Sequence, residues 1–135
     1  MKYLVDTSAL VRIIRRETDP IWTETVSRGL VAICEPVIAE TLMIANAKKY
    51  AEQEEAINSA YLPVAIPADI WSLVAVIRRE LATHSAHQGL SVADLVVAAT
   101  AIRLKLTVLH EDADFDTVAR FVPELQQHRI SAGPA

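Results

Sequence analysis

The sequence predicts a three-layer α/β/α fold with a central, mainly parallel sheet, built as one domain over residues 1–130 and followed by a flexible tail at 131–135. Three observations lead there. Apolar runs too short to be helices alternate with longer amphipathic segments. Every strand candidate is separated from the next by helix, so neighbouring strands must pair in parallel through right-handed crossovers. With 135 residues, 52% of them hydrophobic, the chain has the size and apolar content of one well-buried core.

The first apolar run, Lys2-Tyr-Leu-Val-Asp6, ends where Thr7 and Ser8 offer capping hydroxyls, so it reads as a buried strand with Asp6 at its carboxyl end. A helix follows, with Leu10, Ile13 and Ile14 on its apolar side and Arg12, Arg15 and Arg16 on the other. Asp19-Pro20 starts another helix, with Asp19 as cap and Pro20 in the first position. Val31-Ala-Ile-Cys34 is the second strand, stopped by Glu35-Pro36, and residues 37–49 repeat apolar side chains at helical spacing with Glu40 in the opening turns. A polar-faced helix is expected over 51–61, and a third strand over Val64-Ala-Ile66, between Pro63 and Pro67. Ile70, Leu73, Val74, Ile77 and Leu81 mark a long amphipathic helix that fades at 84–89. Ser91-Val-Ala-Asp94 has the form of a capping box and opens a helix apolar around most of its circumference, expected to be the central buried one. Leu106-Thr-Val-Leu109 is the fourth strand, and an acidic turn at 112–116 leads into a short helix ending near Phe121.

Composition narrows the function. A net charge of −4 argues against a protein that holds nucleic acid through a broad basic surface. It is compatible with an enzyme that gathers carboxylates around divalent ions, because the ions offset that charge once bound. The single cysteine, Cys34, excludes an internal disulfide and a multi-cysteine zinc site, and its apolar neighbours predict a buried thiol. No secretory signal and no charge-free run of membrane-spanning length is present, so a soluble, cytoplasmic protein is expected. Gly29, Gly89 and Gly133 form neither phosphate-binding glycine loop.

In open α/β sheets reacting groups gather beyond the carboxyl ends of the strands, and both Asp6 and the 112–116 turn follow strands. Asp6, Glu40, Asp94 and Asp112 therefore form a candidate catalytic set. Mg2+, or Mn2+ in its place, takes hard oxygen ligands and keeps several waters, so carboxylates from separate elements can hold it beside a phosphate. Each acid also has an ordinary explanation. Asp6 can simply cap its helix, Glu40 can be a solvated helix residue, Asp94 can serve only the capping box, and Asp112 and Asp114 can be turn formers. Taken together these explanations weaken, because the settings of Asp6, Glu40 and Asp94 are poor places for unpaired charge.

Four segments, Leu-Val-Asp-Thr-Ser-Ala-Leu at 4–10, Pro-Val-Ile-Ala-Glu at 36–40, Ser-Val-Ala-Asp-Leu-Val-Val-Ala-Ala at 91–99 and His-Glu-Asp-Ala-Asp-Phe at 110–115, resemble the successive motifs of PIN-domain proteins, most closely the VapC-type toxins. The resemblance runs from residue 3 to about 121, and the ordered set is far more specific than any one segment. It implies a PIN-like fold and a Mg2+- or Mn2+-dependent endoribonuclease with Asp6, Glu40, Asp94 and Asp112 as site acids and metal ligands. Asp114 would be an additional metal or water ligand, and Ser8 the hydroxyl near the first acid. It also implies hydrolysis to 5′-phosphate and 3′-hydroxyl products, structured RNA such as tRNA or rRNA as substrate, a VapB-like antitoxin as partner, and a homodimer. His110 receives no catalytic role; Arg12, Arg15 and Arg16 form a basic stripe able to meet RNA phosphates, or a solvated helix face. Trp71 is assigned to a helix-packing or subunit surface.

Two other readings stay open. One is a PIN-like RNA- or protein-binding module whose acids no longer work. The other is a phosphotransfer domain on a similar scaffold. The second is disfavoured because Ser8 stands where a dehalogenase-type phosphatase would want an aspartate, and Pro67 and Ala68 stand where a receiver would want its phospho-acceptor.

Overall fold

The structure is a computed structural model that describes residues 1–134. Among them the chain forms β1 (Tyr3–Val5), α1 (Thr7–Ile14), α2 (Pro20–Ser27), β2 (Val31–Ile33), α3 (Glu35–Met43), α4 (Tyr50–Ala60), β3 (Leu62–Pro63), α5 (Ile70–Thr83), α6 (Val92–Leu104), β4 (Thr107–His110), α7 (Ala113–Phe121), β5 (Gln127–Arg129) and a 3₁₀ turn at Ile130–Ala132. The strands make one sheet in the order β3-β2-β1-β4-β5. Every pairing is parallel, as the alternation of strands and helices requires. The fold is the expected three-layer α/β/α arrangement around a parallel sheet.

The strand order decides where chemistry can occur. From β1 the chain steps to β2 and β3 on one side, then returns past β1 to β4 and β5 on the other. The connections leaving β1 and β4 therefore diverge, which opens a crevice at the carboxyl ends of these two neighbours. Asp6 lies at the end of β1, its N–H donating to the carbonyl of Leu109 on β4 at 2.9 Å, and Glu111 and Asp112 follow β4 directly.

β1, β2 and the last three residues of β4 are buried, and Leu4, Val5, Val31, Val108 and Leu109 are fully enclosed. α6 buries six consecutive residues, Val96 to Ala101, so it is the central helix its apolar sequence predicts. It ends on Lys105, which takes the left-handed conformation (φ 58°) usually given to glycine. Trp22 of α2 is fully buried; its indole N–H donates to the Ile130 carbonyl at 2.8 Å, and its ring meets Tyr3 edge-on at 5.4 Å. Cys34 is buried, as its neighbours predict.

Several boundaries differ from the sequence reading. The third strand is Leu62–Pro63 rather than Val64–Ile66. β3 is an edge strand, and the N–H of Val64 donates to Ile33, so the alternate position taken by Pro63 faces outward and needs no donor. α3 begins two residues earlier than expected, with Pro36 in its first turn where a missing N–H is harmless, and stops at Met43. Beyond it Asn46 Oδ1 accepts from the Lys49 N–H and forms a separate turn. α1 stops at Ile14, so of the expected arginine stripe only Arg12 lies on the helix; Arg15 is its C-cap and Arg16 sits beyond at φ 57°.

β5 adds a fifth strand where four were expected, because Gln127-His-Arg129 is polar, partly exposed and without alternation. The end of the expected loose tail, Ala135, lies outside the described residues. Ser131 is hydrogen-bonded to Glu111. Among the described residues no helix is long and apolar enough to cross a membrane.

Candidate functional site

The acids come from four elements; two of them cap helices and a third completes a capping box. Asp6 caps α1: its Oδ2 accepts from the Ser8 N–H at 3.2 Å and from the Ser8 hydroxyl at 2.8 Å. The same hydroxyl accepts from the Glu111 N–H at 2.9 Å, so Ser8 stitches the end of β1 to the end of β4. Asp94 completes a capping box at the start of α6, where its N–H donates to Ser91 Oγ at 3.0 Å and its carboxylate receives the Ser91 N–H. Asp112 caps α7 by accepting the Asp114 N–H at 2.9 Å. Glu40 lies in the middle of α3 and accepts from the Thr7 hydroxyl at 3.0 Å, which ties it to α1 just after Asp6. Capping occupies only part of each carboxylate and leaves lone pairs free for another partner.

Asp94, Asp112 and Asp114 each present a carboxylate oxygen, and these oxygens all lie within 4.8 Å of one another. Ions with metal–oxygen distances of about 2.0–2.6 Å can bridge oxygens so spaced, and the hard, all-carboxylate donor set suits Mg2+ or Mn2+. Asp6 and Glu40 stand beside this trio rather than within it. The electrostatics link them in a row: burial is the main cause raising the Asp6 carboxyl above its ordinary range, and the Glu40 charge adds to it against hydrogen bonds from Ser8 and Thr7. Asp94 is pushed up to about 6, first by burial and then by the charges of Asp6 and Asp112, despite its bonds to Ser91. Burial and the neighbouring Asp112 charge raise Asp114 as well. Charge on each of these carboxylates disfavours charge on the next, a repulsion that a bound divalent ion would relieve.

Asp6 and Asp112 mark the carboxyl ends of β1 and β4. An apolar recess of about 440 Å³ lies away from them, between α5, α6 and α7, lined by Leu73, Val76, Ile77, Ile102 and Phe121. Closer to the acids, Arg12 donates to the Ser8 carbonyl at 2.7 Å and lines one recess with Glu111 and Ser131, whereas Arg15 lines another with Lys49. His110 is fully buried; its Nδ1 accepts the Asp112 N–H at 3.0 Å, which leaves Nε2 to carry the proton toward Gln127 Oε1 at 2.6 Å when the ring is neutral. The ring thus supports the turn beneath Asp112.

A family model described as PIN domain matches residues 3–121. The chain belongs to the PIN-domain family, in its VapC branch. Ribonuclease VapC2 of Mycobacterium tuberculosis is 36% identical over 120 residues, spanning 87% of this chain and 85% of the relative. Ribonuclease VapC6 of the same species is 33% identical over 101 residues, spanning 74% and 80%. Among solved structures, VapBC2 from Rickettsia felis, bound to a DNA fragment from its promoter, matches with a TM-score of 0.75 at 20% identity, covering 96% of this chain and 98% of that one. VapBC-1 from nontypeable Haemophilus influenzae gives a TM-score of 0.76 at 17% identity over 96% and 98%. At such identities the structural matches show a shared fold.

Sequence reasoning passed over several residues that shape this PIN domain's crevice. Glu111 joins the Asp112 turn to the C-terminal segment: Arg129 Nη1 donates to its carboxylate at 3.3 Å, and Ser131 donates through its N–H at 3.2 Å and its hydroxyl at 3.0 Å. Burial alone would raise Glu111, yet the Ser131 bonds and the Arg129 charge hold it below its ordinary value. Arg129 also grips Asp116. The one local signal in the sequence is the run of four acids at 111, 112, 114 and 116, whose mutual repulsion a neighbouring cation would ease. Trp71 is 61% exposed, which removes the helix-packing half of its expected role and leaves a surface position.

Proposed function

We propose that this chain is a Mg2+- or Mn2+-dependent endoribonuclease, the toxin of a toxin–antitoxin pair, acting in the cytoplasm on structured RNA such as tRNA or rRNA. The observation that carries this reading is the carboxylate trio of Asp94, Asp112 and Asp114, with Asp6 and Glu40 beside it, at the switch point of a PIN-domain sheet. Asp6, Glu40, Asp94 and Asp112 form the catalytic set, and Asp114 is a further ligand. A divalent ion bound there would make water more acidic and offset charge developing on the phosphate and on the leaving oxygen. The protein's part is to hold the acids ready. Ser8 orients Asp6, Thr7 orients Glu40, and Ser91 fixes Asp94. Arg12 and Arg15, which line separate recesses, are the contacts for RNA phosphates.

The names of the relatives support the partner as well. The Rickettsia and Haemophilus structures are VapBC assemblies, and another, VapBC-5 of Mycobacterium tuberculosis, is described as a member of a toxin–antitoxin family. A VapB-like antitoxin covering the crevice is the corresponding partner here. A homodimer belongs to the same reading, with the exposed Trp71 of α5 as a surface position open to a second copy.

The test is cleavage of total RNA by purified protein with Mg2+ and with chelator, followed by mapping of the new ends. Metal-dependent cuts with 5′-phosphates that vanish in Asp112→Asn are expected. Absence of cleavage across tRNA and rRNA with either ion would overturn the enzyme reading and favour the binding-module alternative.

A further inference from the structure

The turn that carries two of the metal-holding acids is gripped from outside by one guanidinium. Arg129, the last residue of β5, donates through Nε at 3.0 Å and Nη2 at 2.6 Å to Asp116 Oδ2, and through Nη1 at 3.3 Å to Glu111 Oε2. Glu111 and Asp116 bracket Asp112 and Asp114, so the two ends of the acidic turn are fastened to the same side chain. Glu111 is held a second time by Ser131, and its own N–H reaches Ser8, which holds Asp6. Neither carboxylate gripped by Arg129 belongs to the trio that faces the candidate ion. The positive charge is thereby placed next to four acids without occupying the oxygens an ion needs. Among the described residues, no other arginine or lysine is paired with any acid of this turn.

We propose that Arg129 is a positioning residue for the metal site: its fork on Glu111 and Asp116 sets where Asp112 and Asp114 stand relative to Asp94, and so sets the affinity for the divalent ion. The inference rests on the metal-dependent reading above. It adds a residue from the C-terminal strand, beyond the matched family region that ends at residue 121. A planar fork is needed because a single ammonium cannot hold two carboxylates in fixed geometry. The pairs are partly exposed, so their loss should cost the fold only modestly, and the melting measured alongside separates that cost from any effect on the site.

The experiment is calorimetric titration of Mn2+ into the full chain, with thermal melting of the metal-free proteins alongside. Groups that orient metal ligands typically change affinity by roughly 10–100-fold when removed, so Arg129→Gln should weaken Mn2+ binding by about tenfold or more while melting close to wild type. Arg129→Lys should fall between the two. Arg103→Gln, which breaks an exposed pair with Asp69 elsewhere, should bind Mn2+ as wild type does. Should Arg129→Gln fail to fold, Arg129→Lys and Ser131→Ala carry the test, each with a several-fold weakening. Wild-type affinity in a folded Arg129→Gln, or in both substitute variants, overturns the inference alone. Failure of the wild-type protein to bind Mn2+ overturns the metal-dependent reading and the inference with it.

Discussion

Asp6 and Asp112 follow adjacent parallel strands, each caps a helix, and each accepts a backbone N–H from two residues further on. Their supports differ. Asp6 is 3% exposed, and its hydrogen-bond donors come from the two residues that follow it, Thr7 and Ser8. The Asp112 turn is partly exposed and depends on residues far along the chain, Arg129 and Ser131 above all, with the fully buried Phe115 beneath it against the His110 ring at 5.1 Å. One acid is set by its own loop; the other is set by the sheet edge that happens to arrive beside it. Burial strengthens the first arrangement and makes its charge costly, whereas partial exposure leaves the second dependent on an external clamp.

The largest effect that sharpens this contrast is on turnover. Asp6→Asn and Asp112→Asn should each lower RNA cleavage by orders of magnitude, because a neutral amide is a poor ligand for a hard ion. Their metal-free stabilities should part. Asp6 is held above its ordinary pKa, so its ionised form at neutral pH disfavours the native state; Asp6→Asn should therefore melt higher than wild type in chelator and gain less from added Mg2+. Equal Mg2+ stabilisation of both proteins would remove Asp6 from the site.

Next in size is Phe115→Ala, which empties a fully buried position under the acidic turn and should cost about 3–5 kcal/mol by chemical denaturation. A loss below about 1 kcal/mol would mean that the turn does not lean on the core as described.

Ser8→Ala tests the link between the two regions. It leaves the Glu111 N–H without its acceptor and Asp6 without its hydroxyl donor, an expected cost of about 1–3 kcal/mol. Cleavage should fall as well, with Ser8→Thr recovering part of it. Full activity in a stable Ser8→Ala protein would show that the Asp6 loop and the Asp112 turn are placed independently.

The smallest effect is a drift with pH. Asp94 titrates from an ordinary 3.8 to about 6 in the native protein, so the folded state holds its proton more tightly than the unfolded chain. Such a group favours the native state below about 4, and that advantage is lost as pH rises to about 6. Metal-free melting temperatures followed across this window should carry that downward contribution, and Asp94→Asn should remove it. A pH profile unchanged by Asp94→Asn would show that Asp94 is not the group that is crowded.

Much of the Asp6 region was legible in sequence because its determinants are neighbours in the chain: an apolar strand, an acid, then hydroxyls placed to cap. The Ser91–Asp94 capping box was legible for the same reason. β3 was misplaced by a proline that only an edge strand tolerates, and no local signal says which strand is an edge. β5 escaped notice because its pairing is made by backbone, while its side chains are polar and half exposed. With β5 went Arg129, whose role has no meaning until the strand lies beside β4.

Local pattern alone thus determined the alternation of strands and helices, the parallel sheet it demands and the buried central helix, since each rests on spacing within a few residues or on the length of an apolar run. The candidate acids stood out only through four ordered motifs that resemble a known family. Only the tertiary structure decided which of those acids share one point. Asp94, Asp112 and Asp114 meet within 4.8 Å while Asp6 and Glu40 stand to one side, an outcome of the strand order that places β4 against β1. Strand order is a long-range property. It follows from how the whole apolar surface is buried at once, and no window of sequence contains it.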